Sequence, residues 1–296
     1  LALELRTLRY LVAIADAGTI TAAANKIHIS QPALSRQMQE LERELGTKLF
    51  NRKNRAISLT ANGTYLVNRA RQILNLTDAA ITDMTDDQAI NGSLAIGLGE
   101  SRLNRSVLHA AKTLVTTFLD VKLKIYSGNA AEITEQLDHG LLDFGVVIDP
   151  ADTYKYAYTP IPGENIWGLV VPKTDPMAKF AAVTPKMIRH QPLIISERQP
   201  VVTLFEKWAG PNFDPAQIVS RFNLAYNAGI LTNLGLGYTV GLDHLLDNRE
   251  MALSFIPFSP KLTTRMTLIW TRHAPMSRTA QKFLTIFQQQ NPSSAT

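Results

Sequence analysis

The stretch from Ser30 to Thr60 constrains this chain more than any other. It reads S-Q-P-A-L-S-R-Q-M-Q-E-L-E-R-E-L-G-T-K-L-F-N-R-K-N-R-A-I-S-L-T. Ser30 is a good helix N-cap, and Pro32 falls in the first turn, where its missing N–H costs nothing. Leu34, Met38, Leu41 and Leu45 recur at helical spacing and make one apolar face. The other side of the first two turns carries Gln31, Ser35, Arg36 and Gln39. Short donors and acceptors with one guanidinium, on a helix that leads with its N-terminus, suit the reading of base edges in a major groove.

The preceding residues complete the unit. Thr19 can cap a short helix whose apolar face is Ile20, Ala23, Ala24 and Ile27, and His28-Ile29 connects it tightly to Ser30. This is the spacing of a helix-turn-helix. Small residues at 22–24 let the two helices approach closely, and Leu5, Leu8, Leu11, Val12 and Ala15 form the stripe of a first, bracing helix. After Leu49-Phe50, the cations Arg52, Lys53 and Arg55 cluster around Asn54, and Ala56–Leu59 alternates as a strand. Asn tolerates the backbone of a hairpin tip. Any small three-helix bundle would show the same apolar stripes, and a charged tip is usually just a solvated turn. Side by side, a polar-led helix and a basic hairpin point to DNA, with Arg52 and Arg55 on backbone or minor groove. Residues 1–60 hold nine Lys/Arg against five Asp/Glu, within a net charge of +5 for all 296 residues. That local excess suits a polyanion.

Leu5–Thr60 resembles the DNA-binding domain of LysR-type transcriptional regulators. The likeness is carried by L-R-Y-L-V-A-I-A (Leu8–Ala15), A-A-N-K-I-H-I-S-Q-P-A-L-S-R-Q (Ala23–Gln37), L-E-R-E-L-G-T-K-L-F (Leu41–Phe50) and the pair Arg52 and Arg55, with Thr60 and Gly63 kept beyond it. The resemblance implies a winged helix-turn-helix over residues 1–60, its motif at 20–39. It also implies an imperfectly palindromic double-stranded DNA operator, a small-molecule effector, self-association as a dimer or dimer of dimers, and RNA polymerase as a partner. No cofactor, metal or membrane is implied. Pro32 joins Gln31, Ser35, Arg36 and Gln39 on the expected reading face.

From Thr60 to about Gln88 the pattern predicts one long helix inside a linker of residues 61–91. Leu66, Ala70, Ile73, Thr77, Ala80 and Met84 alternate four and three apart, the spacing of a pairing seam. In the family the corresponding helix pairs with that of a second subunit, so Leu66, Ile73 and Met84 are the expected dimerisation residues. A helix packed only on its own domain is the alternative.

Beyond Gly92 strands and helices alternate. Strands are expected at Ser93–Gly97, Val121–Tyr126 and Phe144–Ile148, with helices at Val107–Phe118 and Ala130–His139 between them. A second set follows with strands at Ile166–Val171, Leu193–Ile195, Ile218–Phe222 and Leu268–Trp270. A last helix lies on Ala280, Phe283, Leu284 and Phe287. This order predicts a mostly parallel α/β sheet in two similar units with a cleft between them. L-D-F-G-V-V (Leu142–Val147), L-V-V-P-K-T-D-P-M-A (Leu169–Ala178), N-L-G-L-G-Y (Asn233–Tyr238) and Ser277–Phe283 resemble strings of LysR-type effector domains, which are built like periplasmic binding proteins. The fold class is therefore α/β multidomain. A winged helix-turn-helix and a linker helix precede a two-lobed effector domain at 92–296, with lobe I at about 92–162 and 267–296 and lobe II at about 163–266.

Ligands of such folds sit at the carboxyl ends of strands. That places Glu100, Ser101, Arg102, Ser127, Gly128, Asn129, Ile148 and Asp149 on one side of the cleft, and Ser196, Tyr226 and Asn227 on the other. Arg102 is expected to take a carboxylate and Glu100 or Asp149 an amine, which favours an amino acid or small organic acid. Glu100 and Arg102 pairing with each other at the rim is the plain alternative.

Catalysis finds little support. Gly97-Leu-Gly99 is followed by Arg102 where a dinucleotide fingerprint needs glycine, and Gly235 and Gly237 fail likewise at Val240. The six histidines show no ligand spacing, and there is no cysteine for a thiolate site, disulfide or thiol switch. No apolar run reaches membrane-helix length, and Arg6, Arg9 and Asp16 interrupt anything like a signal peptide. The expectation is a cytoplasmic regulator rather than an exported solute-binding protein or an enzyme.

Overall fold

The computed structural model describes residues 3–53, 56–85, 90–148, 154–246 and 252–292. Arg55 and Asp149 lie outside the described residues, as do the side chains of Arg52 and Met84. Two compact units emerge: Leu1–Ala89, and the chain from Ile90 onward apart from His139–Leu141.

The first unit opens with α1 (Leu5–Ala17), which stops at Gly18 in the left-handed region, φ 69°. α2 (Ile20–Lys26) is capped by Thr19, whose Oγ1 accepts the Ala22 N–H at 3.1 Å. α3 (Gln31–Leu45) is capped by Ser30 and closed by left-handed Gly46. β1 (Phe50–Lys53) and β2 (Ala56–Leu59) form an antiparallel hairpin in the register Phe50↔Leu59. α4 (Ala61–Thr85) follows, its first turn held by Thr60 Oγ1, which accepts the Gly63 N–H at 2.9 Å. One core joins these elements through Leu8, Leu11, Ile14, Ala23, Leu34 and Met38. Each of the Leu, Ile and Met side chains contributes roughly 1.5–3 kcal/mol on burial. The near-complete burial of Ala23 and Ala24 lets α2 lie close on its neighbours.

α4 divides the expected seam. Ala70 is fully buried with Val67 and Leu74, and Leu66 packs partly on the same core. Those positions brace α4 within its own unit, beside the ion pairs Arg9–Asp78 (2.8 Å) and Arg71–Asp16 (2.5 Å). Ile73 is exposed, together with Leu76 and Ile81, which the heptad count left out. At 3.6 residues per turn Ile73 sits about 60° around the helix from Ala70, at the edge of the buried face.

The second unit is built on a nine-stranded sheet. Its elements, in chain order, are β3 (Gly92–Leu98), α5 (Asn104–Thr117), β4 (Val121–Ser127), α6 (Ala130–Asp138), β5 (Phe144–Ile148), β6 (Tyr156–Pro172), β7 (Leu193–Ser196), α7 (Gln199–Ala209), β8 (Ile218–Phe222), α8 (Ala225–Asn233), β9 (Tyr238–Leu242), β10 (Leu253–Pro257), β11 (Thr263–Thr271) and α9 (Arg278–Gln290). The strands run in the order β4-β3-β5-β11-β6-β9-β7-β8, with β10 added on β6. β3 pairs parallel with β4 and β5, and β7 with β8 and β9. β6 and β11 are antiparallel and link the two parallel sets. One lobe closes over Leu94, Ile96, Leu114, Phe144, Phe283 and Phe287. The other closes over Leu169, Leu193, Ile195, Phe205, Val240 and Phe258.

β6 begins ten residues before the expected Ile166. Pro160, Pro162 and Gly163 make its first half look like a loop in sequence, since proline lacks a ladder donor. The strand bends at Gly163, φ 101°, beside the register shift in β11 at Thr264/Met266. Glycine adopts that backbone without the penalty a Cβ would bring. There β6 leaves one lobe for the other. Helices α7 and α8 and strands β9 and β10 were not expected. α8 buries Ala225, Ala228 and Thr232 yet exposes Tyr226, Ile230 and neighbouring Leu234, so it shows no clean apolar stripe. No described helix is long and apolar enough to cross a membrane.

Candidate nucleic-acid interface and ligand cleft

On α3, Leu34, Met38, Leu41 and Glu42 are buried, while Gln31, Pro32, Arg36 and Gln39 are exposed and Ser35 is half-buried. Arg36 has no carboxylate partner among the described residues, so its guanidinium is available to an acceptor outside the chain. The hairpin stands on this helix through one buried carboxylate. Glu42, with a side chain 5 % exposed, accepts the N–H groups of Leu49 (2.8 Å) and Phe50 (3.2 Å) and the Lys48 ammonium (3.0 Å). Burial by itself would raise the Glu42 pKa, but those donors outweigh it and hold the carboxyl below its ordinary value. β2 is tied back by Ile57 N–H donating to Gly18 O at 3.0 Å. Helix and wing are thereby one rigid piece.

Within the second unit, strand ends from both lobes enclose a cavity of about 610 Å³, its open mouth included. Of the residues expected there, Glu100, Gly128, Asn129, Ile148 and Ser196 line it. Asn129 and Glu132 cap α6 reciprocally: Asn129 N–H donates to Glu132 Oε2 (2.8 Å), and Glu132 N–H to Asn129 Oδ1 (3.0 Å). Glu100 reaches across to the opposite lobe, where its Oε2 accepts the Ala225 N–H at 2.5 Å. Leu224, the N-cap of α8, has no side-chain acceptor of its own, and Glu100 supplies one.

Other expectations need correction. Arg102 does not face the cavity: its Nε donates to Asp243 Oδ2 (2.7 Å) and its Nη2 to Glu164 O (3.0 Å). It therefore does not pair with Glu100. Ser101 is buried, donating to Asn165 Oδ1 (2.6 Å) and accepting the Leu103 N–H (3.0 Å). Asp243 Oδ1 also accepts the Ile166 N–H at 3.0 Å. Ser101 and Arg102 thus fasten the turn after β3 onto β6 near its bend. Ser127, Tyr226 and Asn227 are exposed and lie outside the lining.

The sequence reading missed Arg198, Trp167, Phe222, Leu224 and Val240, all in the wall. Arg198 is the N-cap of α7, its N–H donating to Ser196 Oγ at 3.3 Å. Pro200 in the following turn marks that helix start and was the available signal. Burial lowers the Arg198 pKa, and no carboxylate among the described residues pairs with its guanidinium.

A helix-turn-helix with a free polar face and a two-lobed α/β unit with a strand-end cleft together define a DNA-binding regulator that carries a small-molecule site. Residues 5–64 match the family described as bacterial regulatory helix-turn-helix protein, lysR family, and residues 87–292 match the LysR substrate binding domain; the chain belongs to the LysR family of transcriptional regulators. Among curated relatives, the HTH-type transcriptional regulator BudR of Raoultella terrigena is 28 % identical over 294 residues, covering 96 % of this chain and all of BudR. The hydrogen peroxide-inducible genes activator of Haemophilus influenzae is 25 % identical, covering 93 % of this chain and 92 % of that one. The crystal structure of CbnR, a LysR family transcriptional regulator, shares the fold with a TM-score of 0.75 at 22 % identity, over 97 % of this chain and 99 % of CbnR.

Proposed function

We propose that α3 enters the major groove of an imperfectly palindromic operator, with Gln31, Pro32, Ser35, Arg36 and Gln39 toward base edges. Arg52 and Arg55 would then meet backbone or minor groove. The observation that carries this reading is Arg36, unpaired among the described residues and set among exposed amides at the leading end of a helix whose other face is core. CbnR, similar in fold, has been solved in complex with its target DNA. Arg36→Ala is expected to cost about 1–3 kcal/mol on a cognate site. Arg52→Ala should weaken all sequences alike and lower the salt slope by roughly one. Gel-shift titration over a salt series on the DNA flanking the gene checks both. An Arg36→Ala protein that is folded and binds cognate DNA like wild type overturns the assignment.

Two reading heads on a palindrome need a two-fold partner. The exposed Ile73, Leu76 and Ile81 on α4 support pairing through that helix, and a dimer of dimers is the larger assembly in keeping with it. Ile73→Glu is expected to raise the dimer dissociation constant by about tenfold or more, seen as a lower mass in light scattering. An unchanged mass would move the interface elsewhere. In this reading residues 1–60 bind DNA, 61–91 link and pair, and 92–296 sense an amino acid or small organic acid. The protein acts in the cytoplasm through RNA polymerase and catalyses nothing itself.

A further inference from the structure

Two charged side chains line the cleft among its described residues, and they are placed differently. Glu100 serves the fold, its carboxylate held at 2.5 Å on the Ala225 N–H at the positive end of α8. Arg198 serves nothing visible. Its backbone N–H is bound to Ser196 Oγ, but among the described residues its guanidinium has neither a carboxylate nor a hydrogen-bond partner. A half-buried guanidinium without an acceptor forfeits solvation and gains nothing in return. Much of the lining is apolar, with Ile148, Trp167, Val201, Leu224, Val240 and Leu242, and Asn129, Ser196 and Asn223 add neutral polar groups.

We propose that the cleft takes a small apolar monocarboxylate, its carboxylate paired bidentately with Arg198 and its hydrocarbon body against Trp167, Ile148 and Val240. This rests on the reading of the cleft as the effector site and narrows its ligand. A planar guanidinium fork matches a carboxylate in shape and charge. A zwitterion fits less well, because among the described lining residues its ammonium would have to share Glu100 with the α8 amide. A dianion would leave its second charge without a cation among the described lining residues.

The test uses the full-length protein, with calorimetric titration of four probes: phenylacetate, 4-methylpentanoate, phenylacetamide and phenylalanine. The variants are Arg198→Gln, Arg198→Lys and Leu224→Trp, the last filling the cleft from a half-exposed position. Arg198 caps α7 through its backbone rather than its side chain, so its replacement leaves the helix start intact. Both acids should bind wild type, and phenylacetamide and phenylalanine about tenfold more weakly or worse. Arg198→Gln should lose about tenfold or more, Arg198→Lys should recover part of it, and Leu224→Trp should block binding. If the acids bind Arg198→Gln as they bind wild type but not Leu224→Trp, the anchor is wrong and the cleft stands. If they bind both variants like wild type, the cleft reading falls as well. Equal binding of the amide or the amino acid, or no binding of either acid, overturns the ligand class.

Discussion

Gly63→Ala is expected to destabilise the DNA-binding unit by about 3 kcal/mol or more, although it adds a single methyl to the first turn of a helix. A Cβ at Gly63 would fall 2.0 Å from the carbonyl oxygen of Leu49 and 2.9 Å from its carbonyl carbon. Both are backbone, so no rotamer change can relieve the overlap. That carbonyl is also fixed, accepting the Thr60 N–H at 3.0 Å while the Leu49 side chain is buried. The start of α4 and the entry to the wing must separate for the methyl to fit, and the DNA-reading piece loses its rigidity. Urea unfolding measures this cleanly. The three tryptophans, Trp167, Trp208 and Trp270, all lie beyond Ile90. The helix signal in far-UV circular dichroism should gain an early transition while the tryptophan transition stays in place. Gly46→Ala is the contrast: nothing lies within 4 Å, and only the left-handed φ of 64° opposes it, at a cost of about 1 kcal/mol. Equal losses for the two variants would refute the steric account.

Glu42→Ala is expected to remove about 2–3 kcal/mol from the same unit. It leaves the N–H groups of Leu49 and Phe50 buried without an acceptor and takes away the partner of Lys48. The interaction also has a pH signature. The folded Glu42 pKa lies below its ordinary 4.5, so the folded state binds that proton less readily than the unfolded chain. The stabilisation is therefore complete above about 4.5 and is lost as pH falls through the lower folded value. Acidification across that window should lower the unfolding midpoint of the helix signal in wild type, and Glu42→Gln should flatten the fall. A wild-type midpoint that does not move between pH 5 and 3 would show that Glu42 ionisation does not hold the wing.

α3 and its surroundings were legible because their determinants are local. Caps at Thr19 and Ser30, Pro32 in the first turn, and the spacing of Leu34, Met38 and Leu41 each act within a few residues. The structure has α3 beginning at Gln31 as those signals require. The parallel strands β3, β5 and β8 were legible as short apolar or alternating runs between helices. Illegible were elements whose sequence contradicts their role. β6 carries Pro160, Pro162 and Gly163 in its first half, and α8 is apolar on its exposed side as well. Neither shows a period, because long-range pairing and burial, not local preference, decide their state.

The cleft divides in the same way. That ligand-lining residues follow strand ends is a property of the α/β topology, so Glu100, Asn129, Ile148 and Ser196 could be named from strand positions alone. Which charge at a strand end faces the cavity is another matter. Arg102 and Arg198 are alike in sequence terms, each a cation just past a strand. Asp243 lies 141 residues from Arg102 and reaches it only after β9 is laid beside β6, and that contact takes Arg102 out of the cleft. No comparable acid among the described residues reaches Arg198. The sequence by itself determined the family, the start and buried face of α3, and the order of the two parts. Tertiary structure alone decided which guanidinium has no partner among the described residues, because an ion pair depends on distance in space while sequence records only separation along the chain.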